Sequence, residues 1–68
     1  MTNISPRMGQ VLSLLAEGNS YKEISLILSI KRQSARRYAY IAMHRMGAKT
    51  VVQAAVKFNQ EQKEVTKL

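Results

Sequence analysis

The sequence predicts an all-α domain of four helices that contains a helix-turn-helix. Apolar residues recur at helical spacing in successive segments, and polar residues stand at positions typical of helix starts. Only three glycines and one proline occur, which disfavours a turn-rich β fold. A chain of 68 residues is long enough for one small domain with a marginal core. We therefore expect a single domain over residues 1–68, with the helical core at about 4–58 and a polar tail at about 59–68.

The first helix is expected to begin after Ser5, because serine is a favoured N-cap and Pro6 is tolerated at the first helical position. Gly18 is expected to end it. Gly9 lies inside this helix and should cost about 1 kcal/mol relative to alanine. The apolar residues that predict its buried face are Met8, Val11, Leu12, Leu15 and Ala16.

The second helix is expected to begin at Ser20, which forms a capping-box pattern with Glu23 three residues later. The turn that follows, at Ser29 and Ile30, contains no helix breaker, and we infer it from the loss of the apolar pattern. The predicted inner face of this helix consists of Ile24, Ile27 and Leu28.

The third helix is expected to begin at Lys31 or Arg32 and to end before Gly47, at about 31–46. Projected at about 100° per residue, it has two different faces. The small, apolar face consists of Ala35, Tyr38, Ala39, Ala42 and Met46. The opposite face consists of Gln33, Arg36, Arg37, Tyr40 and His44. We interpret the first as a packing face and the second as the face of a recognition helix in the DNA major groove.

The net charge of +7 favours a polyanionic partner. The acidic residues Glu17, Glu23, Glu61 and Glu64 all lie outside the stretch from Ile24 to Gln60. That stretch contains seven basic residues, which are Lys31, Arg32, Arg36, Arg37, Arg45, Lys49 and Lys57. The positive charge is therefore concentrated around the third helix. Ribosomal proteins and membrane-surface helices are equally basic, so charge alone does not identify DNA as the partner.

A fourth helix is expected after Thr50, which is placed to cap it. Its apolar residues are Val51, Val52, Ala55, Val56 and Phe58. Two interpretations stay open, because this surface either forms a dimer face or completes the core of one copy. From Asn59 onwards the chain is polar and is either a helical extension or disordered.

The composition argues against most other classes of protein. Cysteine is absent, which excludes disulfides and cysteine-ligated zinc, and His44 is the only histidine, without partners for metal or catalytic chemistry. No apolar run approaches the roughly 20 residues of a membrane span, and the N-terminus does not resemble a signal peptide. We expect a soluble, cytoplasmic protein that is not an enzyme and carries no cofactor.

Several motifs resemble the LuxR-type (GerE-like) DNA-binding domain. They are ISPR at 4–7, VLSLLAEG at 11–18, SYKEIS at 20–25 and LSI at 28–30, and the resemblance extends from about Ile4 to Phe58. Region 4 of bacterial sigma factors starts similarly, but the Leu-Ala-Glu-Gly spacing favours the LuxR type. The resemblance implies a four-helix, helix-turn-helix transcription regulator of bacteria that dimerises through its fourth helix. The family usually joins this domain to another, and we expect this chain to act as a stand-alone domain.

The chain departs from the family pattern at several positions. Met8 replaces a glutamate of the first turn, Tyr38 replaces a histidine, and Ile41 replaces an asparagine. Ala35 and Ala42 replace branched aliphatic residues, and a large tyrosine beside two alanines conserves core volume. The resemblance therefore supports the fold of the domain better than it supports the family's DNA sequence as the sequence that this chain binds.

The resemblance implies that Arg36, Arg37 and Tyr40 occupy the base-reading positions of the family. The helix projection places the same three residues on the side that faces DNA. The alternative for Tyr40 is a partly buried tyrosine. Gln33 at the helix start is added to this base-reading group. The predicted contacts to the DNA backbone are Lys31, Arg32, Ser34, Lys22, Tyr21 and Lys49, with Lys49 contributing mainly to the general field. The predicted dimer contacts are Val52, Ala55 and Val56.

The sequence therefore predicts a regulator that binds specific sequences of double-stranded DNA, as a homodimer, at the nucleoid of a bacterial cytoplasm. Two alternatives remain. One is an interaction protein that pairs with a larger LuxR-type regulator and modulates it. The other is a non-specific binder of nucleic acid, which the charge permits and the two distinct faces of the third helix disfavour.

Overall fold

Four helices make up the computed structural model, which describes residues 4–66 and the side chains of residues 4–61. They are α1 (Pro6–Ala16), α2 (Tyr21–Leu28), α3 (Arg32–Met46) and α4 (Val51–Thr66). No strand occurs within the described residues. The predicted all-α class and the helix-turn-helix formed by α2 and α3 are confirmed. The polar tail is a helical extension as far as Thr66, because α4 continues to that residue.

The starts of three helices carry the caps that the sequence predicts. The Ser5 hydroxyl accepts a hydrogen bond from the Met8 amide at 3.3 Å. At α2, the Ser20 amide donates to the Glu23 carboxylate at 2.7 Å, and the Glu23 amide donates to the Ser20 hydroxyl at 3.2 Å. These bonds with Ser20 hold the pKa of the exposed Glu23 carboxyl below its ordinary value. At α4, the Thr50 hydroxyl accepts from the Gln53 amide at 3.0 Å, so the capping residues chosen from the sequence are confirmed.

The ends of α1, α2 and α3 share one backbone geometry. Each helix is followed by a residue in the left-handed conformation, with φ of 98° at Gly18, 54° at Ser29 and 68° at Gly47. The amide of the next residue then donates to a carbonyl five residues back, at 3.0–3.1 Å in the pairs Asn19–Leu14, Ile30–Ser25 and Ala48–Met43. This is the bond pattern of a Schellman motif. The turn between α2 and α3 therefore uses a serine where the other two ends use glycine.

Helix α3 packs into the domain through small side chains. Ala35, Ala39 and Ala42 are completely buried, and Met46 is 8% exposed. Ala35 and Ala39 join a core cluster with Val11 of α1 and Ile24 of α2. Ala42 and Met46 join a second cluster with Met8, Leu12, Ala54 and Ala55. The packing face predicted for α3 is confirmed, with the half-buried Tyr38 in contact with both clusters.

Helices α1 and α4 approach closely at Gly9. A Cβ atom at this position would lie 2.9 Å from Cζ of Phe58, well inside van der Waals contact. Gly9 therefore makes room for the Phe58 ring, a packing role that helix propensity alone does not reveal.

Two residues assigned to buried faces are instead exposed. Ile27 is 56% exposed, so its placement on the inner face of α2 was wrong. Relative to the buried Ile24, Leu28 is rotated by about 40° and Ile27 by about 60° in the opposite direction, and only the Leu28 side is covered. Ile27 lines an apolar groove of about 680 Å³ with Leu14, Leu28 and Phe58. Ala16 was also wrongly assigned, because it ends α1 at the edge of the buried stripe and is exposed.

Candidate nucleic-acid interface

The exposed surface of α3 opposite the core forms a shallow polar crevice. Its volume is about 530 Å³, and it is lined by Gln33, Ser34, Arg36, Arg37 and Tyr40, which we call the α3 face. Gln33, Arg36, Arg37 and Tyr40 are exposed and Ser34 is half-buried. The buried alanines on the other side of the same helix hold this face outward. The α3 face can thus present an amide, a hydroxyl, a phenol and two guanidinium groups to one ligand.

Arg36 and Tyr40 are in contact within this face. The central carbon of the guanidinium lies 5.6 Å from the centroid of the tyrosine ring, within the distance of a cation–π interaction. The two residues are four positions apart, so one turn of helix brings their side chains together. Tyr40 remains 43% exposed, which leaves its ring available to a ligand rather than buried in the core.

Tyr21, the first residue of α2, lies beside this pair. Burial raises the pKa of its phenol above the ordinary value, the neighbouring Tyr40 raises it further, and Arg36 lowers it. The side chain is half-buried, whereas the other residues in the first turn of α2, Lys22 and Glu23, are exposed. A tyrosine phenol is protonated at neutral pH and can donate a hydrogen bond to an anion.

The capping box restricts what the start of α2 can bind. The Ser20 and Glu23 amides already donate within the box, and the Glu23 carboxylate places a negative charge there. A phosphate would be repelled by this carboxylate, so the start of α2 is less favourable for an anion than a helix start without an acidic residue.

The start of α3 differs from that of α2. Lys31 is the N-cap residue and makes no side-chain capping bond, and no acidic residue lies in the first turn. Lys31 and Arg32 are both exposed. The unpaired amides of a helix start favour an anion, and these two cations strengthen that preference.

Lys49 lies at the opposite end of α3 from Lys31. It follows Gly47, the residue that ends α3, and its amide donates to the Gln53 side chain at 2.6 Å. A helix of 15 residues is about 22 Å long, so Lys49 is well separated from the cations at the start of α3. This separation supports a contribution to the general field rather than a contact with the bases near the α3 face.

The outer surface of α4 carries a narrow apolar strip. Val52 is 72% exposed and Val56, one turn later, is 48% exposed. Gln53, Lys57 and Gln60 surround Val56 in a shallow depression. Ala55 is only 2% exposed and packs in the core of this chain, so its assignment to a dimer contact is corrected. The fourth helix therefore completes the core with Ala54 and Ala55 and leaves Val52 and Val56 exposed.

The sequence did not reveal two features of this site. One is the contact between Arg36 and Tyr40, for which the spacing of four residues was an available signal. The other is the position of Tyr21 beside that pair, which depends on how α2 packs against α3 and has no signal in the local sequence.

Within the described residues, no helix combines the length and apolar character that crossing a membrane requires. The same part of the chain contains no group of three or more His, Cys, Asp or Glu side chains placed to hold a metal ion.

Comparison with known protein families identifies a family to which the chain is similar. The family model GerE, described as bacterial regulatory proteins of the luxR family, matches residues 2–58. No curated protein and no solved structure matches the chain.

Proposed function

The chain belongs to the luxR family of bacterial regulatory proteins, which makes it a DNA-binding regulator, and we propose that it recognises specific sequences of double-stranded DNA through α3. The observation that carries this proposal is the α3 face. It groups Arg36, Arg37, Gln33 and Tyr40 on the side of the helix opposite three completely buried alanines. A major groove about 12 Å wide admits one helix, whose outward side chains then meet the base edges.

The proposed contacts divide into two groups. Arg36, Arg37, Gln33 and Tyr40 read base edges from the α3 face. Phosphates are held by the side chains at the two helix starts and in the first turn of α3, which are Tyr21, Lys22, Lys31, Arg32 and Ser34. Lys49 adds to the positive field at the far end of α3. Phosphate contacts fix the register of the domain on DNA, and base contacts supply the specificity.

We also propose that two copies pair through α4. Val52 and Val56 lie on one side of the helix, and they expose apolar surface that the core of the monomer does not use. A two-fold interface brings the same residues of both copies together. Because a single helix face is a small contact, the pair is stabilised by DNA that carries two half-sites, which raises the local concentration of one copy for the other.

Selection of bound duplexes from a random pool tests the proposed specificity. We expect one enriched motif, with two half-sites about one helical turn apart if the bound form is a dimer. Affinity for that motif should fall with salt at a log–log slope of about −0.9 per phosphate neutralised. A pool that is retained by the protein but never enriched in any motif would show a non-specific binder.

The same experiment separates a second kind of regulator from the one proposed. A chain that modulates a larger luxR-family protein through the Val52 and Val56 strip would enrich no motif by itself. The purified chain alone is therefore the decisive sample, and light scattering on it in the presence and absence of the enriched duplex gives the number of copies bound.

A further inference from the structure

We propose that Arg36 reads a guanine, and that the ring of Tyr40, in addition to the base contact proposed for its hydroxyl, acts as a positioning group that holds the Arg36 guanidinium ready for that base. This inference rests on the proposed function, because it assigns one base and one reader within the proposed DNA site. It is carried by the contact between Arg36 and Tyr40.

The contact with Tyr40 restricts the conformations of Arg36. An exposed arginine has many rotamers and loses most of their entropy when it binds in one geometry. The guanidinium of Arg36 already lies over the Tyr40 ring, at 5.6 Å from its centroid. Part of the ordering cost is therefore met before DNA binds, which favours a contact of fixed geometry over a loose contact to a phosphate.

The chemistry of the guanidinium selects the base. The cation–π contact with Tyr40 involves the positive charge of the group, and the guanidinium has five N–H donors with which to bind DNA. In the major groove only guanine presents two neighbouring acceptors, O6 and N7, which match two such donors. Adenine and cytosine each present a donor amino group that the guanidinium cannot accept. A fixed Arg36 therefore discriminates in favour of guanine.

Arg37 provides a matched control within the same helix. It has the same side chain, is also exposed and lines the same α3 face. Its position is rotated from Arg36 by about 100° around the helix, which directs it to a different part of the DNA. Replacement of either arginine by alanine removes one positive charge. The two variants therefore differ only in the base pair of the motif at which the sequence preference is lost.

The test measures the ratio of dissociation constants for two duplexes. One carries the motif enriched from a random pool, and the other has a single G·C pair of that motif replaced by A·T. At one guanine, we expect the wild type to discriminate by about 5- to 150-fold and Arg36→Ala to lose that discrimination. Tyr40→Leu should lower the ratio by about 2- to 5-fold, while Tyr40→Phe should retain it at this guanine because the ring remains.

The outcomes separate this inference from the proposed function. A general loss of folding or affinity changes both dissociation constants and leaves their ratio unchanged. If Tyr40→Leu does not alter this ratio at any guanine of the motif, the inference is overturned, while the proposal of specific DNA binding stands. Loss of the same guanine preference in Arg37→Ala, with Arg36→Ala unaffected, overturns it as well. If no motif is enriched at all, the proposed function fails and this inference fails with it.

Discussion

Helix α3 carries two kinds of side chain, small ones that pack densely in the core and long ones that are widely exposed to solvent. Ala35, Ala39 and Ala42 have no exposed surface, so the helix backbone lies close to α1, α2 and α4. The arginines between them project from the opposite side into solvent. Small residues in the core thus place the long residues of the α3 face at the surface, where they can reach a ligand without distortion of the fold.

Replacement of Arg36 should affect DNA binding differently from replacement of Lys49. Arg36→Ala is expected to cost about 1–3 kcal/mol on the enriched motif and to relax the preference at one base pair. Lys49→Ala should weaken binding to all sequences by a smaller and similar amount, because Lys49 lies beyond the far end of α3. Titrations of each variant with cognate and random duplexes measure the difference. Identical losses on both duplexes for both variants would refute the division between base reader and general field.

The role of Gly9 can be tested by a double-mutant cycle with Phe58. In a Phe58→Leu background, Gly9→Ala should raise the free energy of unfolding by about 1 kcal/mol, since alanine favours a helix interior. In the wild type the new Cβ meets the Phe58 ring, so this gain should disappear or reverse. Urea denaturation of the four proteins measures both effects. Equal gains in the two backgrounds would show that Gly9 is not required for the approach of α4.

The starts and ends of the helices could be predicted from the sequence wherever the chemistry of one residue determines them. Ser5, Ser20 and Thr50 determine helix starts through hydrogen bonds to amides three residues later. Gly18 and Gly47 mark helix ends because glycine adopts positive φ at little cost. The end of α2 was harder to predict, because Ser29 adopts the same left-handed conformation without being a glycine.

Prediction of the candidate site from the sequence was uneven for a similar reason. Periodicity alone separates Arg36 from Ala35, because neighbouring residues on a helix point to different sides. It does not reveal that Tyr21 reaches the same place as Arg36, since that depends on the angle between α2 and α3. It also treats Val52, Ala55 and Val56 as one apolar face, whereas the packing of α1 buries Ala55 and leaves both valines exposed.

The turn between α2 and α3 provides a test at the level of elements. Ser29→Gly removes the strain of a serine in the left-handed conformation, but a glycine loses more conformational entropy on folding. The net effect should be a rise of up to about 1 kcal/mol in the free energy of unfolding. The matched control is Ser13→Gly, the same chemical change inside α1, which should lower stability by roughly 0.5 kcal/mol. Thermal unfolding of both variants gives the comparison. Equal destabilisation by both would mean that position 29 carries no strain.

At the scale of the whole molecule, the domain has surfaces that point in different directions. The α3 face offers polar groups and positive charge, and the outer side of α4 offers the apolar strip of Val52 and Val56. A third surface, the groove between α1, α2 and α4, includes Ile27 and Phe58. The pairing proposed for α4 would leave the α3 faces of both copies free, which is the arrangement that a two-half-site DNA requires.

A charge on the α4 strip should weaken pairing without unfolding the chain. Val56→Glu adds its carboxylate at a position that is 48% exposed, so circular dichroism should remain that of the wild type. Cooperative binding to a duplex with two half-sites should fall, and binding to a single half-site should change little. Gln10→Glu, at an exposed position of α1, adds the same charge elsewhere and serves as the control. Unchanged cooperativity in Val56→Glu would exclude α4 as the interface.

Methylation interference tests the central claim, that α3 binds in the major groove, most directly. The enriched duplex is methylated at guanine N7, which lies in the major groove, or at adenine N3, which lies in the minor groove, and bound and free fractions are then compared. We predict that N7 methylation at guanines of the motif prevents binding, and that Arg36→Ala becomes insensitive to one of these guanines. Binding that tolerates methylation at every guanine N7 but is blocked at adenine N3 would contradict the claim.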